Sequence, residues 1–162
     1  MITLVLGGAR SGKSAVAEGL CGPGPVVYIA TAIVGDGDMA RRVAAHQARR
    51  PASWSTVEAG ADVAAAVRAA PSEATVLVDS LTTWVAQAAD FAADVDRLCG
   101  ALAGRAGDTV VVSDEVGLGV HPSTEAGRRF RDCLGEVNQA VAAAADRVLL
   151  VVAGRVLPLE RP

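Results

Sequence analysis

The sequence predicts an α/β domain whose sheet is mostly parallel and flanked by helices. Short, β-branched apolar runs alternate with longer segments of helical periodicity along all 162 residues. The short runs are apolar at nearly every position rather than at every second one, as expected of strands covered on both faces. Aromatic residues make up only 3% and alanine is abundant, so Val, Leu, Ile and Ala must fill the core, which suits helices packed on a parallel sheet.

The elements follow in order. Residues 2–6 are an apolar strand, and a glycine-rich turn leads from it into a helix over 13–20. Strand 26–30 precedes an arginine-rich helix over 38–50, and a weaker strand covers 54–58. Helix 61–70 leads to strand 75–79, and helix 81–104 to strand 109–113. Helix 123–145 is followed by strand 147–152. Ala153-Gly154-Arg155 then separates two apolar runs, so the last residues turn back as a short antiparallel edge strand. No linker, repeat or low-complexity block interrupts the pattern, and residues 1–162 read as a single domain.

Composition narrows the function classes. A hydrophobic content of 51% excludes a disordered chain. A net charge of −3 offers no broad basic surface for nucleic acid, and no apolar run of about 18 residues is present to span a membrane. A small-molecule substrate is favoured. The N-terminus reads as a strand rather than a secretory signal, so a cytoplasmic location is expected. Cys21, Cys99 and Cys133 are widely spaced and odd in number, matching neither a disulfide framework nor a zinc site, and read as buried thiols.

The chemistry begins at Gly7-Gly8-Ala9-Arg10-Ser11-Gly12-Lys13-Ser14, the pattern G-x-x-x-x-G-K-[ST] between a strand and a helix. Glycines let the backbone turn tightly enough for several N–H groups to converge on a polyphosphate at the positive end of a helix. Lys13 adds charge at the outer phosphates, and the Ser14 hydroxyl is placed for Mg2+. The chain is expected to bind a nucleoside triphosphate.

Three further positions lie after strands, where ligands bind in open α/β sheets. Asp79 ends strand 75–79 and is the best second anchor for Mg2+, with a helix cap as the plain alternative. In the segment from Arg41 to Pro51, helical spacing aligns Arg42, His46 and either Arg49 or Arg50. Neighbouring cations keep an imidazole neutral and able to attack phosphorus, although an arginine-rich solvated face has the same composition. The segment from Ser113 to Pro122 carries Asp114, Glu115 and two glycines, and Glu115 could contact substrate or a metal-bound water. An ordinary turn before a helix capped at Ser123 fits equally.

Together these residues resemble the bifunctional adenosylcobinamide kinase/adenosylcobinamide-phosphate guanylyltransferase family of cobalamin synthesis. The resemblance rests on residues 7–14, Tyr28-Ile29-Ala30-Thr31, the R-x-x-x-H-x-x-x-R-P pattern from Arg42 through His46 to Pro51, Trp54, Glu58, Leu81-Thr82-Thr83 and Glu115-Val116-Gly117. Arg129 to Asp132, Asn138-Gln139 and Ala145-Asp146 extend it over nearly the whole chain. It implies a RecA-like P-loop NTPase fold and two reactions at one site. ATP or GTP phosphorylates the hydroxyl on the aminopropanol arm of adenosylcobinamide, and GTP then donates GMP to that phosphate. It further implies that His46 carries GMP covalently, that Lys13 and Arg10 offset phosphate charge, and that Ala30, Thr31, Ala32, Gln47, Ala48, Arg49, Arg50, Glu58 and Asp79 surround the nucleotide. A homotrimer is implied as well. Asp114 departs from the family pattern, in which relatives usually have Asn there. A single-activity small-molecule kinase and a nucleotide-gated binding module are the other readings that the residues allow.

Overall fold

The computed structural model describes residues 1–31, 51 and 53–161. Seven strands form one sheet: β1 (Ile2–Gly7), β2 (Val26–Ala30), β3 (Trp54–Glu58), β4 (Thr75–Asp79), β5 (Thr109–Asp114), β6 (Arg147–Val152) and β7 (Arg155–Leu159). The helices are α1 (Lys13–Leu20), α2 (Val63–Ala69), α3 (Leu81–Gln87), α4 (Val95–Ala103) and α5 (Glu125–Ala144). The order across the sheet is β3-β2-β4-β5-β1-β6-β7, parallel throughout except for the β6–β7 hairpin. This is the expected mostly parallel α/β fold with an antiparallel C-terminal edge.

The continuous apolar character of the central strands is explained by helices on both faces. Val5, Tyr28, Leu77, Val112 and Leu149 pack on the side of α1. Leu4, Ile29, Val78 and Val111 join the larger cluster with Val67, Leu81, Leu98 and Leu134 from the other four helices. Burying an aliphatic side chain of this size contributes about 1.5–3 kcal/mol. Side-chain caps start those four helices: Asp62, Ser80, Asp94 and Thr124 each accept a hydrogen bond from an N–H in the first turn.

Two expectations need correction. The continuous helix over 81–104 is broken into α3, a 3-10 turn (Ala89–Phe91) and α4. Ala88 is extended, Asp90 and Phe91 have positive φ, and the Asp94 carboxylate accepts from Arg97 N–H to start α4 afresh. The break turns Phe91 against Phe130, with ring centroids 5.5 Å apart. The cap of the last helix is Thr124 rather than Ser123.

Of the cysteines only Cys21 is fully buried, where desolvation, reinforced by Glu18, pushes its thiol up to about 12. Cys99 and Cys133 are half-buried at the margin of the larger cluster. The expected helix 38–50, with Arg42, His46, Gln47, Ala48, Arg49 and Arg50, lies outside the described residues, as does Ala32.

Candidate functional site

Parallel pairing brings the carboxyl ends of the strands to one edge. Ala30 stands beside both Glu58 and Asp79, and Gly7 beside Asp114 and Val151. Residues distant in sequence thereby flank the loop between β1 and α1, the crevice position where such sheets take ligands.

Backbone geometry requires glycine at two positions of the loop, Gly7 and Gly12. Gly12 precedes α1 at φ 95°, a conformation that side chains disfavour, and lets the helix start at Lys13. At Gly7 a Cβ would come within 2.5 Å of Ser11 Oγ and 2.7 Å of Val151 O, so only glycine fits under the returning loop. Ser11 N–H donates to Gly8 O, closing the turn, and Gly154 N–H donates to Ser11 O at 2.7 Å from the tip of the β6–β7 hairpin. Arg10 is exposed at φ 58°.

The Lys13 ammonium lies 3.3 Å from Gly8 O and 2.5 Å from Asp114 Oδ1. Both partners of this ion pair are largely withdrawn from solvent, with side-chain exposures of 13% and 25%. Asp114 is held on its main chain: its N–H donates to Thr82 Oγ1 at 2.8 Å, and its carbonyl accepts from Asn138 Nδ2 at 3.1 Å. The next residue, Glu115, donates its N–H to Gly7 O, and its carboxylate accepts from Gly117 N–H, which folds the loop after β5 back on itself. Further along that loop, Leu118 and Val120 are exposed, and His121 Nδ1 is paired with Arg131.

On the other side of the edge, Tyr28 Oη donates to Asp79 Oδ2 at 2.9 Å. The carboxylate does not cap α3; the Ser80 hydroxyl does, accepting from Thr83 N–H. Thr31 is fully buried: its hydroxyl donates to Ser80 O at 2.7 Å, accepts from Ser80 N–H at 3.0 Å and contacts the Thr83 hydroxyl. Gln87 Nε2 donates to Thr31 O. Glu58 is exposed at the end of β3, two strands from β4 across β2.

Of the residues expected at the site, the structure brings Gly7 to Ser14, Ala30, Thr31, Glu58 and Asp79 to one edge. Ala32, His46, Gln47, Ala48, Arg49 and Arg50 are outside the described residues. Sequence reasoning assigned no role to Tyr28, Thr82 or Asn138, which hold Asp79 and Asp114. Their signal was polar character at positions that the fold buries, already visible as members of the blocks carrying the resemblance.

A family profile described as cobinamide kinase / cobinamide phosphate guanyltransferase matches residues 3–159. The bifunctional adenosylcobalamin biosynthesis protein CobP of Pseudomonas aeruginosa is 44% identical over 99% of this chain and 98% of its own length. The bifunctional proteins named CobU of Salmonella typhimurium and Escherichia coli are 40% and 39% identical, each over 95% of this chain and 97% of theirs. Among solved structures, the flagellar accessory protein FlaH of Methanocaldococcus jannaschii shares the fold at TM-score 0.52 and 13% identity, covering 96% of this chain and 74% of FlaH. The P4 protein of bacteriophage phi6, solved with ADP, does so at TM-score 0.51 and 16% identity. The match covers 96% of this chain but 53% of P4, so the chain spans about half of the phage protein's length. With near-complete matches in sequence, on the sheet and loop just described, the chain belongs to the cobinamide kinase / cobinamide phosphate guanyltransferase family.

Proposed function

We propose that this protein phosphorylates adenosylcobinamide with ATP or GTP and then transfers GMP from GTP to the resulting phosphate, giving adenosylcobinamide-GDP and pyrophosphate. The observation that carries the reading is 44% identity to a bifunctional relative over 99% of this chain, with the phosphate loop and the R-x-x-x-H-x-x-x-R-P pattern both present in the sequence.

In the first reaction the loop's N–H groups and Lys13 bind the triphosphate while the substrate hydroxyl attacks the γ-phosphorus, the bond to the β-phosphate oxygen breaks, the nucleoside diphosphate leaves and the hydroxyl proton passes to solvent. In the second, the neutral His46 imidazole attacks the α-phosphorus and pyrophosphate leaves. The phosphate of adenosylcobinamide phosphate then displaces the imidazole, so one difficult substitution becomes two easier ones. Arg10, Gln47, Ala48, Arg49, Arg50 and Glu58 surround the nucleotide in this reading, with Ala30, Thr31 and Ala32 beside it.

The Ser14 hydroxyl and the Asp79 carboxylate are hard oxygen donors at the start of α1 and the end of β4, a set that suits Mg2+. When bound, Mg2+ supplies charge neutralisation on the phosphates. No described helix is long and apolar enough to cross a membrane. A homotrimer is part of the proposal on the family resemblance; the exposed Val156, Leu157 and Leu159 on the edge strand β7 offer apolar surface for association without setting its stoichiometry, and light scattering tests it.

The deciding experiment incubates the protein with GTP labelled at the α-phosphate and Mg2+, followed by intact-protein mass and acid treatment. An acid-labile GMP adduct, absent from His46→Ala, is expected. No adduct in protein that still phosphorylates cobinamide would reduce the function to a kinase.

A further inference from the structure

A phosphate-loop lysine works by presenting charge to the outer phosphates, and here that charge is already engaged. Lys13 Nζ lies 2.5 Å from Asp114 Oδ1, with both side chains largely shielded from solvent. Shielding strengthens the pair relative to a surface ion pair. The carboxylate is carried on a backbone fixed beside the loop, because the Asp114 main chain is held by Thr82 and Asn138 and by pairing of β5 against β1 at Gly7.

We propose that Asp114 is a positioning residue that competes with the nucleoside triphosphate for Lys13 and so sets the strength of nucleotide binding. Two effects act in the same direction. Before the ammonium can turn its full charge on the outer phosphates, it must loosen a shielded ion pair. Once the triphosphate is in place, the ammonium is shared between the carboxylate and the phosphates, so the phosphates draw on only part of its charge. Nucleotide is therefore held less tightly than the loop alone would hold it, and the product diphosphate leaves a lysine that has an internal anion to return to. No bond to phosphorus is made or broken in this role.

Asp114→Asn keeps the shape and removes the charge. Binding of a non-hydrolysable triphosphate, measured by calorimetry on the full chain, is expected to tighten about threefold to tenfold, as for a partly shielded charge pair. The nucleotide KM of the kinase step should fall by a similar factor while kcat stays level or drops. In a Lys13→Met background, Asp114→Asn should lose most of that effect, because the competition acts through the ammonium. Unchanged or weaker binding by an Asp114→Asn protein with wild-type circular dichroism and melting temperature overturns the proposal. So does full tightening in the Lys13→Met background.

The inference rests on the nucleotide-binding part of the proposed function only. Wild-type protein that bound no triphosphate would overturn both. Wild-type protein that binds it but transfers no GMP would leave the role of Asp114 standing.

Discussion

Between β1 and β5 the carboxyl edge of the sheet carries opposite charges in contact, Lys13 and Asp114. Between β2 and β4 it carries hydroxyls, with Thr31, Ser80 and Thr83 bonded to one another and Tyr28 on Asp79. The first arrangement is electrostatic and can be redistributed by an incoming anion. The second supplies partners to Ser80 N–H and to the carbonyl of the buried Thr31. One half is thus a pair of charges that an added anion would redistribute, and the other a set of mostly neutral bonds that holds the chain, with the Asp79 carboxylate at its margin.

Substitutions on each side of the edge should differ in what they damage. Removing the lysine has the largest effect: Lys13→Met should slow single-turnover phosphoryl transfer to cobinamide by about a hundredfold to a thousandfold, the scale for losing one charge-stabilising donor. Next is Gly7→Ala, whose methyl meets Ser11 Oγ and the Val151 carbonyl. It should destabilise by about 1–3 kcal/mol in denaturant unfolding and weaken nucleotide binding as well, as overpacking displaces the loop. Thr31→Val tests the hydroxyl half. Ser80 N–H loses its partner while Ser80 O keeps Trp84 N–H and the Thr83 hydroxyl, so a loss of about 1–2 kcal/mol in unfolding free energy is expected, with triphosphate affinity changing far less than in Lys13→Met. A Thr31→Val protein of normal stability but poor nucleotide binding would show that the two halves are not separate. Tyr28→Phe is the mildest, costing about 1 kcal/mol of stability. Because Tyr28 orients Asp79, the Mg2+ concentration for half-maximal kinase rate should also rise.

Much of this architecture is legible in the sequence, for identifiable reasons. The phosphate loop is local, its glycine and lysine spacing being its function, and strands buried on both faces announce themselves as unbroken apolar runs such as residues 75–78. Asp79 was legible because a carboxylate that ends such a run has to lie at the sheet's edge. The break in the helix between Gln87 and Val95 was hidden by alanines that suit a helix equally well, although Asp94 ahead of Val95 was a cap signal. Less accessible still were pairings that exist only through topology. Nothing local connects Lys13 with Asp114, because β5 must first be inserted beside β1 for them to meet.

The hydrogen bond from Gly154 to Ser11 carries a different consequence. A Cβ on Gly12 would sit 3.4 Å from Gly154 Cα, so the hairpin tip is also the floor on which the loop rests. The phosphate motif is therefore not portable. Cut out with its own strand and helix, it would keep every signature residue and lose its underpinning, because the last hairpin of the chain is part of the scaffold that gives the first loop its shape.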